Sequence, residues 1–221
     1  MAEYSIVPGR PPEDTEDFVK LFLISAPEFV PALFAGTHEM VAAGCFRHKH
    51  NLLASEHTHF VNVNGKNAGM ILAYAWLVKR QQAAKSSFLT VRYMRTKFFT
   101  RMRPLQWSDD VLSKLDEGTF YISNMAFYSE FRNQGLGTSL LAHTEELARK
   151  SGARKLDVDA ETDNEGAIRF YQRFGMNTVG EPKRIVIDEK EFEFIRLTKA
   201  IPPTPSRPSL VCPLPQGVDK L

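Results

Sequence analysis

Six consecutive residues, Arg132-Asn133-Gln134-Gly135-Leu136-Gly137, hold the pattern with the most chemistry in this chain. They join an apolar, strand-like run, Phe120 to Phe127, to a periodic helical run, Leu136 to Lys150. A glycine-containing turn between a strand and a helix presents bare backbone N–H groups at the helix start, where the helix dipole adds positive potential. Such a cradle suits a phosphate or a diphosphate. Backbone N–H groups from Arg132 to Thr138 can converge on one, and glycine at 135 and 137 permits close approach. The hydroxyls of Thr138 and Ser139 and the Arg132 guanidinium offer further bonds, the last of them charge-assisted.

The elements that must position this turn are legible around it. In the following helix, Leu136, Leu140, Leu141, Thr144, Leu147 and Ala148 share one face, and Ser151-Gly152 marks its end. Leu156 to Ala160 alternates as a strand, and Asp163-Asn164 can cap another helix that runs to Phe174 and stops at Gly175. Strands Thr178–Val179, Arg184 to Asp188 and Phe192 to Leu197 follow, with a turn near Glu189-Lys190. Upstream, Tyr4 to Val7 reads as a first strand and Pro11-Pro12 as the start of a helix carrying Phe18, Leu21, Phe22 and Ile24. A second short helix is expected from Pro31 to Ala43. His59 to Val63 and Ala68 to Trp76 flank Asn64-Gly65, a strong hairpin signal.

Between that hairpin and Phe120 lies a long basic segment. From His57 to Ser108 there is no Asp or Glu, while nine cations occur: Lys66, Lys79, Arg80, Lys85, Arg92, Arg95, Lys97, Arg101 and Arg103. Phe88, Val91, Met94, Phe98 and Phe99 predict one helical face over Leu77 to Arg103, closed by Pro104. A basic helix of this kind serves as a solvated face, or meets an acidic partner, a phosphate-rich ligand or a membrane surface. No base-reading motif accompanies it, so nucleic acid is not expected as a partner.

The 221 residues are 43% hydrophobic and include 16 Phe, enough for a sizeable core, and the net charge of +2 singles out no partner. Two cysteines, Cys45 and Cys212, form no CxxC pair and no disulfide framework, so a reducing, cytoplasmic setting is the expectation. The beginning of the chain lacks the basic and apolar regions of a signal peptide, and the longest apolar run, Ala68 to Val78, is too short to span a bilayer. Six of the last 21 residues are proline, which predicts an extended tail from Ile201. The expected organisation is thus a domain over 1–200 with a basic helical insertion at 77–107, followed by a Pro-rich tail at 201–221.

The element order, with Arg132-Asn-Gln-Gly-Leu-Gly137, resembles the GNAT N-acetyltransferase superfamily. Its acyl-CoA signature, R/Q-x-x-G-x-G/A, follows a strand ending in an Ala-Val-like pair, here Ala126-Phe127. A second signature, Asn, Ala, aromatic-Tyr and Gly, is matched by Asn164, Ala167, Phe170-Tyr171 and Gly175. The resemblance is strong from Phe120 to Gly175. Phe127, Ser129 and Asn133 depart from the usual Val, Pro and Gly; Asn tolerates left-handed backbone angles, so the turn should survive. Phe127 in place of Val points to a narrowed acyl pocket, and so to acetyl rather than a longer acyl group.

The resemblance implies an α/β (α+β) three-layer fold, its mixed central sheet splayed between two strands and flanked by helices. It implies an acetyl-CoA-dependent N-acetyltransferase in which an amine attacks the thioester directly, within a ternary complex and without metal. Pantetheine would pair as a pseudo-strand with the strand end Asn124 to Phe127, so that Met125, Ala126 and Phe127 join Arg132 to Ser139 as cofactor contacts. Asn164 and Ala167 would face the cofactor arm. A backbone N–H near Ala126 or Phe127 would serve the oxyanion. Tyr171 would be the general acid, its phenol of pKa about 10 handing a proton to a thiolate of about 8.5.

The general base is not readable. Asp157, Asp159, Glu117, Glu130, His57 and His59 each have a solvated or structural reading. His48-Lys-His50 and His57-Thr-His59 suggest a metal site only faintly, because no cysteine supports them. The acceptor is a small-molecule or protein amine, and homodimerisation through a sheet edge is an open expectation. The alternative to an enzyme is a non-catalytic acyl-CoA sensor or interaction module.

Overall fold

The computed structural model describes residues 3–112 and 114–202. Seven strands form one sheet in the order β1-β2-β3-β4-β5-β7-β6. The strands are β1 (Tyr4–Pro8), β2 (Thr58–Val63), β3 (Lys66–Ala75), β4 (Thr119–Phe127), β5 (Lys155–Glu161), β6 (Asn177–Ile187) and β7 (Lys190–Ala200). Every pairing is antiparallel except β4 with β5. A parallel pair needs a long crossover, and the helix α6 (Leu136–Lys150) supplies it. The Asn64-Gly65 turn joins β2 to β3 with φ of 50° and 82°, the positive values its residue types favour.

Period-two alternation along the strands feeds two cores. On one face Phe60, Met70, Leu72, Ala126, Phe192 and Phe194 meet α1 (Thr15–Ser25), α2 (Phe29–Leu33), α3 (His38–Arg47), α4 (Trp76–Met94) and α5 (Lys97–Val111). On the other, Val61, Ile71, Ile122, Leu156, Val158 and Leu197 meet α6, which presents Leu136, Leu140, Leu141 and Ala148, and α7 (Glu165–Arg173). The expected three-layer architecture is present.

Several boundaries differ from the expectation, each for a local reason. The helix predicted over 31–43 is two, α2 and α3, because Ala35 and Gly36 take φ of 50° and 74° between them. The basic segment is likewise two helices, and Pro104 does not close it. The break falls at Arg95, with φ of 53°, and Pro104 sits inside α5. Proline removes the N–H that would reach the carbonyl four residues back. That carbonyl, on Thr100, instead accepts from Arg101 Nη1 at 3.3 Å. The predicted apolar face is also displaced: Leu89 and Met94 are buried, whereas Phe88, Val91 and Phe99 face solvent. Ile201, assigned to the tail, belongs to the core at 4% exposure, and its N–H donates to Arg154 O at 2.8 Å. Residues 203–221, with Cys212, lie outside the described residues. Among the described residues no helix is long and apolar enough to cross a membrane.

Candidate active site

β4 and β5 are hydrogen-bonded partners only from Thr119↔Lys155 to Ile122↔Val158. Beyond Ile122 the two strands part, while β5 stays paired with β7 as far as Glu161↔Phe194. β4 also remains on β3 through Gly69↔Phe127. Residues 123–127 therefore have a strand on one side and an opening on the other. The N–H groups of an antiparallel strand alternate in direction. Tyr128 N–H donates to Ala68 O at 3.0 Å, on the β3 side. Ala126 belongs to that same set, so the N–H groups of Met125 and Phe127 face the opening. Phe127 O lies there too, accepting from Arg132 Nε at 3.2 Å. Of the two expected oxyanion donors, this geometry favours Phe127 and leaves Ala126 to the sheet.

The turn after β4 is built by two left-handed residues. Asn133 has φ of 60° and Gly135, which opens α6, has φ of 79°. The N–H groups of residues 133–138 donate to nothing within the described chain, as a helix start requires. The Arg132 N–H, expected among the donors, is taken by Ser129 O at 3.2 Å. The Ser139 N–H is likewise taken by Gly135 O, and its hydroxyl accepts from Tyr4 at 2.8 Å. Thr138 keeps both its N–H and its hydroxyl. Gln134 Nε2 donates to Glu130 O at 2.8 Å and braces the turn from behind. The two glycines have different jobs. Gly135 has open space where a side chain would be, so only its backbone angle demands glycine. A methyl group at 137 would meet Phe170 Cζ at 3.0 Å, so Gly137 lets α7 close against the turn.

The opening between β4 and β5 continues into a cleft of about 230 Å³. Asn124, Met125, Asn164, Ala167 and Tyr171 line it, with Asp159 and Glu161 at its β5 edge. Its other walls are aromatic and aliphatic residues of α1 and α2, with Ser108 and Leu112 from the end of the basic segment. Tyr171 is 6% exposed, and its phenol makes no hydrogen bond within the described chain. Burial pushes its pKa well above the ordinary phenol value, so it keeps its proton. Asn164 accepts from Ala167 N at 3.0 Å through Oδ1, capping α7, and it also borders the cleft. Phe127 is not a wall of the cleft. Its ring lies over Gly69, where a Cβ would be 2.3 Å away, so the proposed narrowing of the acyl pocket by this residue does not follow.

The aspartates considered as bases are committed elsewhere. Asp159 accepts from Arg196 Nε at 2.9 Å, Arg196 Nη2 at 2.7 Å and Tyr121 Oη at 3.1 Å. Asp157 is fully buried and accepts from Thr198 at 2.8 Å. Arg196 also donates to Leu112 O and, at 2.8 Å, to Lys114 O. The histidine pairs are dispersed: His48 meets Tyr93, His57 meets Gln82 and His59 lies tilted against His143. Among the described residues no group of three or more His, Cys, Asp or Glu is arranged to hold a metal.

One charged residue lining the cleft is absent from the residues singled out in the sequence. Glu161 continues the Asp157-x-Asp159 alternation by one step, past the assigned end of the strand at Ala160. Its carboxylate makes no hydrogen bond or ion pair within the described chain. Burial, then the neighbouring Asp163 and Glu28, raise its pKa against the opposing pull of Lys190.

A central strand parted from its parallel neighbour, beside an amide-lined helix start, defines an acyl-CoA-type transferase fold. Residues 18–176 match the Acetyltransferase (GNAT) family, and the chain belongs to that family. It is 36% identical over 55 residues to N-alpha-acetyltransferase 30 of Schizosaccharomyces pombe, a match covering 25% of this chain and 37% of that relative. The chain thus spans well under half of that curated relative's length. Among solved structures, an N-acetyltransferase from Staphylococcus aureus superposes with a TM-score of 0.59 at 19% identity, over 88% of this chain and all of that one. A Bacillus subtilis acetyltransferase in complex with CoA gives 0.51 at 12% identity, over 90% of this chain and 99% of that one. These likenesses are of fold.

Proposed function

We propose that this chain transfers the acetyl group of acetyl-CoA to a primary amine within a ternary complex. The observation that carries this reading is the parting of β4 from β5 beside Tyr171, in line with the free amides of α6. The N–H groups of residues 133–138 would hold the diphosphate, with Thr138 adding its hydroxyl. The amide-bearing arm would pair with the open edge of β4 through Met125 and Phe127, with Asn164 opposite. That leaves the thioester at the cleft, its carbonyl oxygen within reach of a β4 N–H that stabilises negative charge on it. As the amine nitrogen bonds to the carbonyl carbon, the C–S bond breaks. The departing thiolate takes a proton from the Tyr171 phenol, which recovers one from the attacking nitrogen. Burial keeps Tyr171 protonated, so its proton is present when the thiolate forms.

The test is release of free CoA from acetyl-CoA across a panel of amines. Tyr171→Phe is expected to lower kcat by 10²-fold or more, the range for general acid catalysis, with acetyl-CoA affinity by calorimetry unchanged. Equal rates would remove the general-acid role. Binding of acetyl-CoA with no turnover on any amine would favour a sensor.

A further inference from the structure

The cleft has an asymmetry that points to its second substrate. Its cofactor side is polar and offers Tyr171 and Asn164. Its far side is apolar, made of Phe29, Val30 and Leu33 on α2, Phe22 on α1 and Leu112 after α5. Each of these is at most 8% exposed. At the edge between the two sides stands Glu161; the other acid lining the cleft, Asp159, is spent on Arg196 and Tyr121. We propose that the acceptor is a primary amine on a compact apolar body, aromatic or branched aliphatic, whose ammonium group is held by the Glu161 carboxylate while its apolar part lies against α2. This inference rests on the transfer reaction proposed above and narrows its acceptor.

Three features support it. A free carboxylate at the rim of an apolar cleft binds an ammonium by charge-assisted hydrogen bonds. The cleft is small, so a long polyamine or an amino sugar with many hydroxyls would strand polar groups against Phe29 and Leu33, at the cost of their lost hydration. The same desolvation that raises the Glu161 carboxyl lowers the pKa of a bound ammonium, which brings donor and acceptor of the proton closer together. The step then balances. The ammonium gives one proton to Glu161 and becomes a nucleophile. C–N forms as C–S breaks, the nitrogen's second proton returns to Tyr171, and the proton left on Glu161 is the one released to solvent.

The groups around Glu161 fix its expected titration. Glu28 faces it from the α1–α2 turn, and Asp163 and Asp159 from its own strand and the turn after it. Lys190, Glu193 and Arg184 lie beside it on β7 and β6. Lys190 is bonded to Glu28 and Arg184 to Glu191, so the cations there are partly spent. The balance raises the pKa of the Glu161 carboxyl, and activity should fall as pH drops through that raised pKa and the carboxylate that holds the ammonium is lost.

The experiment measures kcat/KM for 2-phenylethylamine, isoamylamine, spermidine and glucosamine in wild type and in Glu161→Gln, each across pH. The expectation is at least a tenfold preference for the two apolar amines. In Glu161→Gln, the KM for them should rise at least tenfold, the acid limb of the profile should vanish, and the KM for acetyl-CoA should stay constant. A preference for spermidine or glucosamine, or an unchanged KM and acid limb in the variant, overturns the proposal. If no amine is turned over, titration of 2-phenylethylamine into the CoA-loaded protein separates the cases. Binding that weakens tenfold in Glu161→Gln upholds the pocket assignment while the transfer reaction fails; absence of binding overturns the pocket assignment itself.

Discussion

At the scale of single residues, the phosphate turn separates two uses of glycine that look identical in sequence. Gly135 is required by its backbone angle of 79°, and a side chain in that region costs about 1–2 kcal/mol. Gly135→Ala is therefore expected to lower unfolding free energy by about 1 kcal/mol in urea titration. Gly137 is required by the Phe170 ring. Gly137→Ala should weaken CoA binding through a displaced α7, and shortening the ring with Phe170→Leu should recover part of the loss in calorimetry. The hexapeptide was legible because its chemistry is a local property of backbone and dipole. Which amides remain free was not. Arg132 fits the pattern, yet its N–H is already taken by Ser129, and the Ser139 hydroxyl, expected as a contact, already accepts from Tyr4. Glu161 was missed for a related reason: its proposed role comes from lining the cleft with no partner among the described residues, and partnership is a three-dimensional fact.

At the scale of elements, the inserted helices are tied to the site through one guanidinium. Arg196 on β7 binds Asp159 on β5 and the carbonyls of Leu112 and Lys114 just past α5. It thus fixes the position of Leu112, a wall of the cleft, relative to the strand that bears Glu161. Removing one member of a buried charge network leaves the others uncompensated, at a cost of about 3–5 kcal/mol. Arg196→Met should show a loss of that order in chemical denaturation, with acceptor KM rising more than donor KM in the protein that remains folded. The strands and α6 could be read from their periodicity, because each buries one regular face. The insertion could not. Its basic composition hides a contact made by Leu89 and Met94, and its break falls at Arg95, in the left-handed region, rather than at Pro104.

At the scale of the molecule, two histidines between layers link the fold to pH. His59 on β2 lies 4.9 Å, ring to ring, from His143 on α6. Burial, with the nearby His143 and His57, depresses the His59 pKa to about 4. A histidine held neutral in the fold binds its proton more readily once unfolded, so its contribution is complete above pH ~6.5 and is lost as pH falls from there toward 4. Melting temperature should decline across that window, and His59→Leu should flatten the decline; an equal slope in both proteins would assign the acid sensitivity elsewhere.

The seam between β4 and β5 has a consequence for how this chain lives among its metabolites. A sheet left half unzipped is a fold awaiting its last strand, and in the proposed reaction the missing strand is the donor that the reaction consumes. Whatever occupies the gap adds its own binding free energy to the native state by mass action. Under that proposal, supply of the donor governs durability as well as turnover, and a starved molecule is expected to be the more fragile one.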